Sequence, residues 1–260
     1  MNNLLRSPYV VFAVSFIAMW LAGRIGVIFR KKRAKPDDDM RQDLDLVVTA
    51  NLTLLALIIG FSFSMAITRY DQRKNYEEAE ANAIGTEYVR AGLLPSSEAA
   101  KVRVLLKDYL HQRIAFYLTR DEEKIRVVNT ETAQLQTQLW SAVQSPAATQ
   151  STPVMGLILS GMNDVLNSQG YTQAAWWNRI PMEAWVLMIV IAMFGNLLVG
   201  YTRHCIDPGT IQSLILPLML SIALFLIADI DSPRRGIVRV RPQNLISLVE
   251  SLPSISVSPD

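Results

Sequence analysis

The sequence predicts an all-α membrane protein of four transmembrane helices, with a helical water-facing domain inserted between the second and third. Three observations carry that reading. Half of the 260 residues are apolar and only 18% are charged, against roughly 25% in an ordinary soluble domain. The apolar excess is gathered into four runs, each near the roughly 20 residues that a helix needs to cross the hydrocarbon core. Between the second and third runs, apolar residues recur at helical spacing and no strand-like alternation stands out.

The first run, Tyr9 to Phe29, follows a single basic residue, Arg6, and Leu21-Ala22-Gly23-Arg24 offers only a weak cleavage motif. It is too long for a signal-peptide core and leads into the basic stretch Arg30 to Lys35, so it reads as a retained anchor. Arg24 stands near its end, where a long stem can reach the headgroups. The second run is Leu46 to Ile67. From Asp43 to Arg90 there is no proline, and the only glycines are Gly60 and Gly85, so this span should continue past the membrane as one long helix. Gly92 and Pro95 then end it.

Pro95-Ser96-Ser97-Glu98 opens the next helix, with Val102, Leu105, Leu106, Tyr109 and Phe116 on one face. Thr119-Arg-Asp-Glu122 reads as a capping box for a third, which carries Ile125, Val128, Leu135, Leu139 and Ala142. Thr152-Pro153 has the cap and first-turn chemistry of a fourth, bearing Leu157, Ile158, Met162 and Val165. Together these predict an antiparallel helical bundle. The last spans are Met182 to Tyr201, preceded by Trp176 and Trp177 and containing Trp185 as a candidate aromatic belt, and Ile211 to Ile230, which contains Pro217. The organisation is therefore residues 1–68 for the first two spans, 69–180 for the helical domain and 181–231 for the last two spans. Residues 232–260, with Pro233, Pro242, Pro253 and Pro259, form an extended tail expected to pack on a neighbouring subunit.

Composition narrows the function. A net charge of +2 and a pI near 8.7 are too mild for a nucleic-acid footprint, so no nucleic-acid partner is expected. One cysteine, Cys205, excludes an internal disulfide, and His111 and His204 have no ligand-type spacing. There is no nucleophile elbow, phosphate loop, zinc-protease motif or cysteine pair, so neither an enzyme nor a cofactor is expected. Asn51-Leu-Thr53 matches a glycosylation sequon but lies inside a span. Glu77, Glu78 and Glu80 read as a solvated helix face partnered by Arg73 and Lys74, with metal binding as the alternative. The basic residues do not orient the chain. Arg30, Lys31, Lys32, Arg33, Lys35, Arg41 and Arg203 on one side nearly balance Arg6, Arg69, Arg73, Lys74, Arg179, Arg234, Arg235, Arg239 and Arg241 on the other.

The second span holds the candidate site. Thr49, Thr53, Leu57, Gly60, Ser64, Thr68 and Asp71 succeed one another at spacings of three or four, a small or hydroxylated stripe on a helix otherwise rich in Leu, Ile and Phe. Small residues let membrane helices approach closely, so the stripe reads as a packing face. The alternative reading is the lining of a pore or cavity, where hydroxyls and an apolar constriction meet permeating ions.

Gly60-Phe61, followed by Thr68-Arg69-Tyr70 with the arginine nine positions after the glycine, is similar to the second-span signature of bestrophin channels. Glu80-Ala-Asn-Ala-Ile-Gly-Thr86, Leu93-Leu94-Pro95 and Asp229-Ile-Asp-Ser-Pro-Arg-Arg-Gly236 resemble, more specifically, a bacterial family described as bestrophin-like. That resemblance implies a passive homopentameric ion channel in the bacterial inner membrane, anion-conducting by default, with the second span lining the pore and inorganic ions and the lipid bilayer as partners. It implies a neck at Thr53, Leu57 and Phe61, and it favours cytoplasmic termini and a cytoplasmic helical domain, which the Arg30–Lys35 cluster opposes. Arg69 or Asp71 at the pore mouth would set a field whose sign depends on which one faces the axis. The chain departs from the pattern at polar Thr53, at Leu54 where many bestrophins have proline, and at Asp71 in place of a second aromatic, so gating and selectivity do not carry over. The rival function is a membrane-anchored interaction or scaffold protein acting through its helical domain.

Overall fold

A computed structural model describes residues 7–32, 38–149, 152–202 and 212–253. All regular structure among them is helical: α1 (Pro8–Lys31), α2 (Asp38–Arg90), a short 3-10 turn (Ala91–Leu93), α3 (Ser96–Leu118), α4 (Glu122–Thr149), α5 (Pro153–Trp177), α6 (Met182–Thr202), α7 (Gln212–Asp231) and α8 (Gln243–Ser251). Four helical stretches are long and apolar enough to cross a membrane, and they contain α1, α2, α6 and α7. The chain divides into two compact units, Met1–Tyr70 with Arg179–Arg239 and Asp71–Asn178 with Val240–Asp260. The single helix α2 contributes to both, as its lack of proline requires.

In the first unit α1 packs on α6 and α7. Val11, Met19, Leu55, Met188, Leu224 and Ile227 form its buried core. Three buried polar side chains within the spans are satisfied locally: Ser15, Asn196 and Ser221 donate to the carbonyls of Phe12, Ala192 and Pro217. After α7 the Asp229 carboxylate accepts the amides of Ile237 (2.7 Å) and Val238 (2.8 Å), which folds the following segment back on the helix end. This is the structural use of the Asp229–Gly236 motif.

The second unit is an α-helical bundle with Val102, Leu106, Leu110, Phe116, Leu139, Ile158 and Met162 in its core. Thr152 caps α5 as its chemistry predicts, accepting the Met155 amide at 3.3 Å. The predicted capping box at Thr119 is displaced by two residues. Thr119 instead closes α3, and Asp121 accepts the Glu123 amide at 2.9 Å to start α4.

Three other expectations are corrected. The 232–260 tail is not simply extended, because α8 forms within it and buries Leu245. Trp176 and Trp185 are buried, Trp176 against Phe116 and Tyr117, which leaves Trp177 as the exposed member of the expected belt. Glu77 and Glu80 are buried, so only Glu78 lies on a solvated face. Arg6, Arg33, Lys35, Arg203, His204, Cys205 and Pro259, and the side chain of Arg41, lie outside the described residues.

Those buried acids have defined structural uses. Glu77 accepts the amides of Asn244 (2.9 Å) and Leu245 (3.0 Å) and the Asn244 side-chain amide (2.6 Å). It thereby supplies the cap that Pro242, at the start of α8, cannot. Burial raises the Glu77 carboxyl above its ordinary range despite these bonds. One turn earlier, Arg73 donates to the carbonyls of Ala175 and Asn178, each at 3.2 Å, and places a cation at the C-terminal end of α5.

Candidate functional site

The register of α2 separates two faces. At 3.6 residues per turn, Leu55, Ser62 and Ala66 fall on one line, and all three are buried in the first unit. Thr49, Thr53, Leu57, Gly60, Phe61, Ser64 and Thr68 lie within about 60° of the opposite direction. Every one of them is exposed; Leu57 keeps 54% and Phe61 65% of its surface. The stripe is therefore not a packing face within the chain. A Cβ added at Gly60 would meet nothing within 4 Å, so no helix of the same chain approaches there.

The hydroxyls on this face are oriented. Thr49 and Thr53 each donate at 2.8 Å to the carbonyl four residues back, and Thr68 does so at 3.0 Å. Their hydrogens are used within the helix, so oxygen lone pairs and methyl groups are what the stripe presents. Leu57 and Phe61 interrupt these hydroxyls with the bulkiest apolar surface on the face.

The charges beyond the stripe are also sorted. Arg69 points to the buried side of α2 and pairs with Asp231 at 3.3 Å. Asp231 also accepts the Ile180 amide at 3.1 and 3.2 Å, so the pair ties α2 to the end of α7 and the start of the third span. Asp71 continues the exposed stripe and makes no hydrogen bond or ion pair among the described residues. The two candidate mouth charges are thus not equivalent. A small cavity of about 50 Å³ lies between α1, α6 and α7, lined in part by Trp20, Arg24, Asn196 and Ser213, and includes none of the stripe residues. Arg24 stacks over the Trp20 ring at 5.5 Å. Among the described residues no three His, Cys, Asp or Glu side chains converge to hold a metal ion.

A family model described as a bestrophin-like domain matches residues 10–245. The chain belongs to the bestrophin-like family. This bestrophin-like chain is also similar in fold to crystal structures of a bacterial bestrophin homologue from Klebsiella pneumoniae. One of them, a single-residue variant, superposes with a TM-score of 0.64 at 13% identity, covering 92% of this chain and 97% of that one. The structure of the homologue phased on zinc gives 0.63 at 13% identity, with 93% and 99% covered. A further crystal structure, described only as a variant of a membrane protein, gives 0.64 at 13% identity, with 92% and 99% covered. No curated protein matches the bestrophin-like chain.

Two acids of this bestrophin-like chain, outside the stripe, are buried with no sign of it in the sequence. Glu80 accepts the Arg113 guanidinium, the Tyr117 hydroxyl at 3.2 Å and the Thr172 hydroxyl at 3.2 Å. Burial, reinforced by the Glu80 charge, pushes the phenols of Tyr109 and Tyr117 above their ordinary range and keeps them protonated. Glu87 is fully buried with neither oxygen hydrogen-bonded, and burial pushes its pKa to about 8 against the opposing charge of Arg90, with Asp164 adding to the rise.

The neutral form of Glu87 is thus the folded form. As pH climbs from about 4.5 to about 8, the unfolded chain ionises freely while the folded one resists, so stability falls across that window and levels off above it. Glu87→Gln is expected to flatten this dependence and to stabilise the chain at pH 8 by on the order of 2–4 kcal/mol. Thermal unfolding in detergent at pH 5 and pH 8 measures it, and a variant with the wild-type slope would show that Glu87 is not its source.

Proposed function

We propose that the protein is a passive, oligomeric ion channel of the bacterial inner membrane, pentameric as the resemblance implies, with the exposed face of α2 lining its pore. The observation that supports this most directly is the register of α2, which turns the whole stripe away from the packing of its own chain. A long apolar helix that leaves hydroxyls, Gly60, Leu57 and Phe61 uncovered needs something on that side. An axial pore shared by several copies supplies it. Rings of Leu57 and Phe61 then raise the cost of water and ions entering, which makes the neck a dewetting gate. Thr53, one turn before Leu57, offers oxygen to an ion that has lost part of its hydration shell. Permeating inorganic ions and the bilayer are the partners; no cofactor takes part. The termini and helical domain are assigned to the cytoplasm.

Ionic current through purified protein in a planar bilayer tests this reading. Leu57→Ala and Phe61→Ala are each expected to raise unitary conductance severalfold by widening the neck. Unchanged conductance in both removes these side chains from the pore. The scaffold reading is supported by exposed apolar side chains of the second unit, Val89 at 71% and Leu118 at 57%. It predicts that the full-length protein retrieves a specific partner and that a folded oligomer carries no current.

A further inference from the structure

Arg24 is the single charge inside the apolar run Tyr9 to Phe29, and it is not drawn to the end of its helix. About 10 Å of α1 separates it from Lys31. Its guanidinium stacks 5.5 Å over the ring of Trp20, one turn back toward the start of the helix. The charge is thus held inward, where a snorkelling arginine would reach outward. Arg24 also stands between two surfaces. Trp20 and Val27, about 40–60° round the helix on one side, line the cavity between α1, α6 and α7. Leu21 and Ile28, about 40–60° round on the other, are exposed apolar side chains. The cavity itself is polar at one end. Gln212 and Ser213 line it together with Arg24, which sets the polar start of α7 level with that charge. Asn196 donates one amide hydrogen to the Ala192 carbonyl and keeps the other. No acid lines the cavity among the described residues, and the acids of α6 and α7 stand in the first turn of the one and at the end of the other, away from it.

We infer that this cavity holds the phosphate of a membrane phospholipid, with Arg24 as its anchoring residue. The inference is independent of whether α2 lines a pore. Size favours it: a water needs roughly 10–15 Å³, so about 50 Å³ takes some three to five such groups, the bulk of a phosphate and not of an acyl chain. Chemistry favours it too, because a guanidinium offers a planar fork of donors that matches phosphate oxygens two at a time. Stacking on Trp20 fixes the plane of that fork, and Gln212 and Ser213 add neutral donors at the same level. The bilayer supplies the phosphate already tethered to acyl chains, and the exposed side of α1 at Leu21 and Ile28 gives those chains a surface to lie on. A free phosphate ion gains nothing from that surface.

The test is lipid binding to the full-length protein in detergent, read by native mass spectrometry. Dioleoyl phosphatidylglycerol is the probe, with dioleoylglycerol and inorganic phosphate as controls. Wild type is expected to bind the phospholipid saturably, and neither control to displace it at equal concentration. Arg24→Gln should weaken binding about tenfold or more, as loss of a charge-assisted contact implies, and Arg24→Lys should weaken it less. Leu216→Trp fills the cavity and leaves the charge in place, so it should weaken binding as well, and it decides the matter if Arg24→Gln does not fold. Displacement by dioleoylglycerol would reveal an acyl groove with no phosphate site, and displacement by inorganic phosphate a site for a free anion. Wild-type affinity in folded Arg24→Gln or Leu216→Trp would put the lipid elsewhere on the protein. Each of these results overturns the inference and leaves the channel reading untouched.

Discussion

Glu80→Gln is expected to cost the helical domain about 3–5 kcal/mol, a large part of the stability a domain of this size possesses. Both partners of the Glu80–Arg113 pair are fully buried. The Arg113 guanidinium lies 4.5 Å above the Phe116 ring, and neither of its terminal nitrogens has a hydrogen-bond partner among the described residues. Its charge therefore depends on one carboxylate. Glutamine fills the same space and can still meet Tyr117 and Thr172, so any loss reports the charge and not the volume. Glu80→Leu with Arg113→Met should recover only part of the loss, because it removes two desolvation costs along with one attraction but leaves the Tyr117 and Thr172 hydroxyls without their acceptor. Tyr117→Phe, which deletes a single hydrogen bond, should cost only about 1 kcal/mol. Melting of the full chain in mild detergent separates these variants. Equal melting of Glu80→Gln and wild type would mean that Arg113 finds another counter-charge.

The contrast between Glu80 and α2 as a whole explains what the sequence made legible. The four spans were readable because bilayer thickness dictates their length, and α2 because a 53-residue helix needs only the absence of proline and few glycines. The stripe was readable because periodicity within one helix is a local property. Its meaning was not. A stripe packed within its own chain and one turned outward look the same until the buried face, Leu55, Ser62 and Ala66, is located.

Glu77 and Glu80 were misplaced, and the partner of Arg69 went unread, for a related reason. Their partners stand 167, 33 and 162 residues away, and nothing near them in sequence marks a carboxylate as buried. Adjacent acids suggested one solvated face, yet Glu77 and Glu80 share a buried side and Glu78 falls between them on the other. The Thr119 box failed more narrowly. Thr119 and Asp121 both have capping chemistry, and only the end of α3 decides which residue caps the next helix.

The same separation of faces gives the second large effect, at glycines that periodicity does not single out. Gly26 on α1 faces the backbone carbonyl of Leu197 on α6, and Gly200 on α6 faces the carbonyl of Gly23 on α1. In both cases an added Cβ would fall well inside contact distance of main-chain atoms, which cannot rotate away as a side chain can. Gly26→Val and Gly200→Val are therefore expected to separate α1 from α6 and abolish recovery of folded protein. Overpacking by a few methyl groups costs about 1–3 kcal/mol even where side chains can yield. Monodisperse elution of either variant at wild-type yield would show that the two helices can part without loss of the fold.

Gly60 is the informative control. With open space around it in its own chain, Gly60→Leu should leave each subunit folded. If the stripe lines a pore, the variant elutes from size-exclusion chromatography as the wild-type oligomer and conducts less, because a leucine ring narrows the path next to Leu57 and Phe61. If the stripe is instead where two copies pack closely, as small residues on membrane helices often are, the same variant dissociates into folded monomers. Wild-type assembly together with wild-type current would place Gly60 on lipid and take the stripe out of both readings.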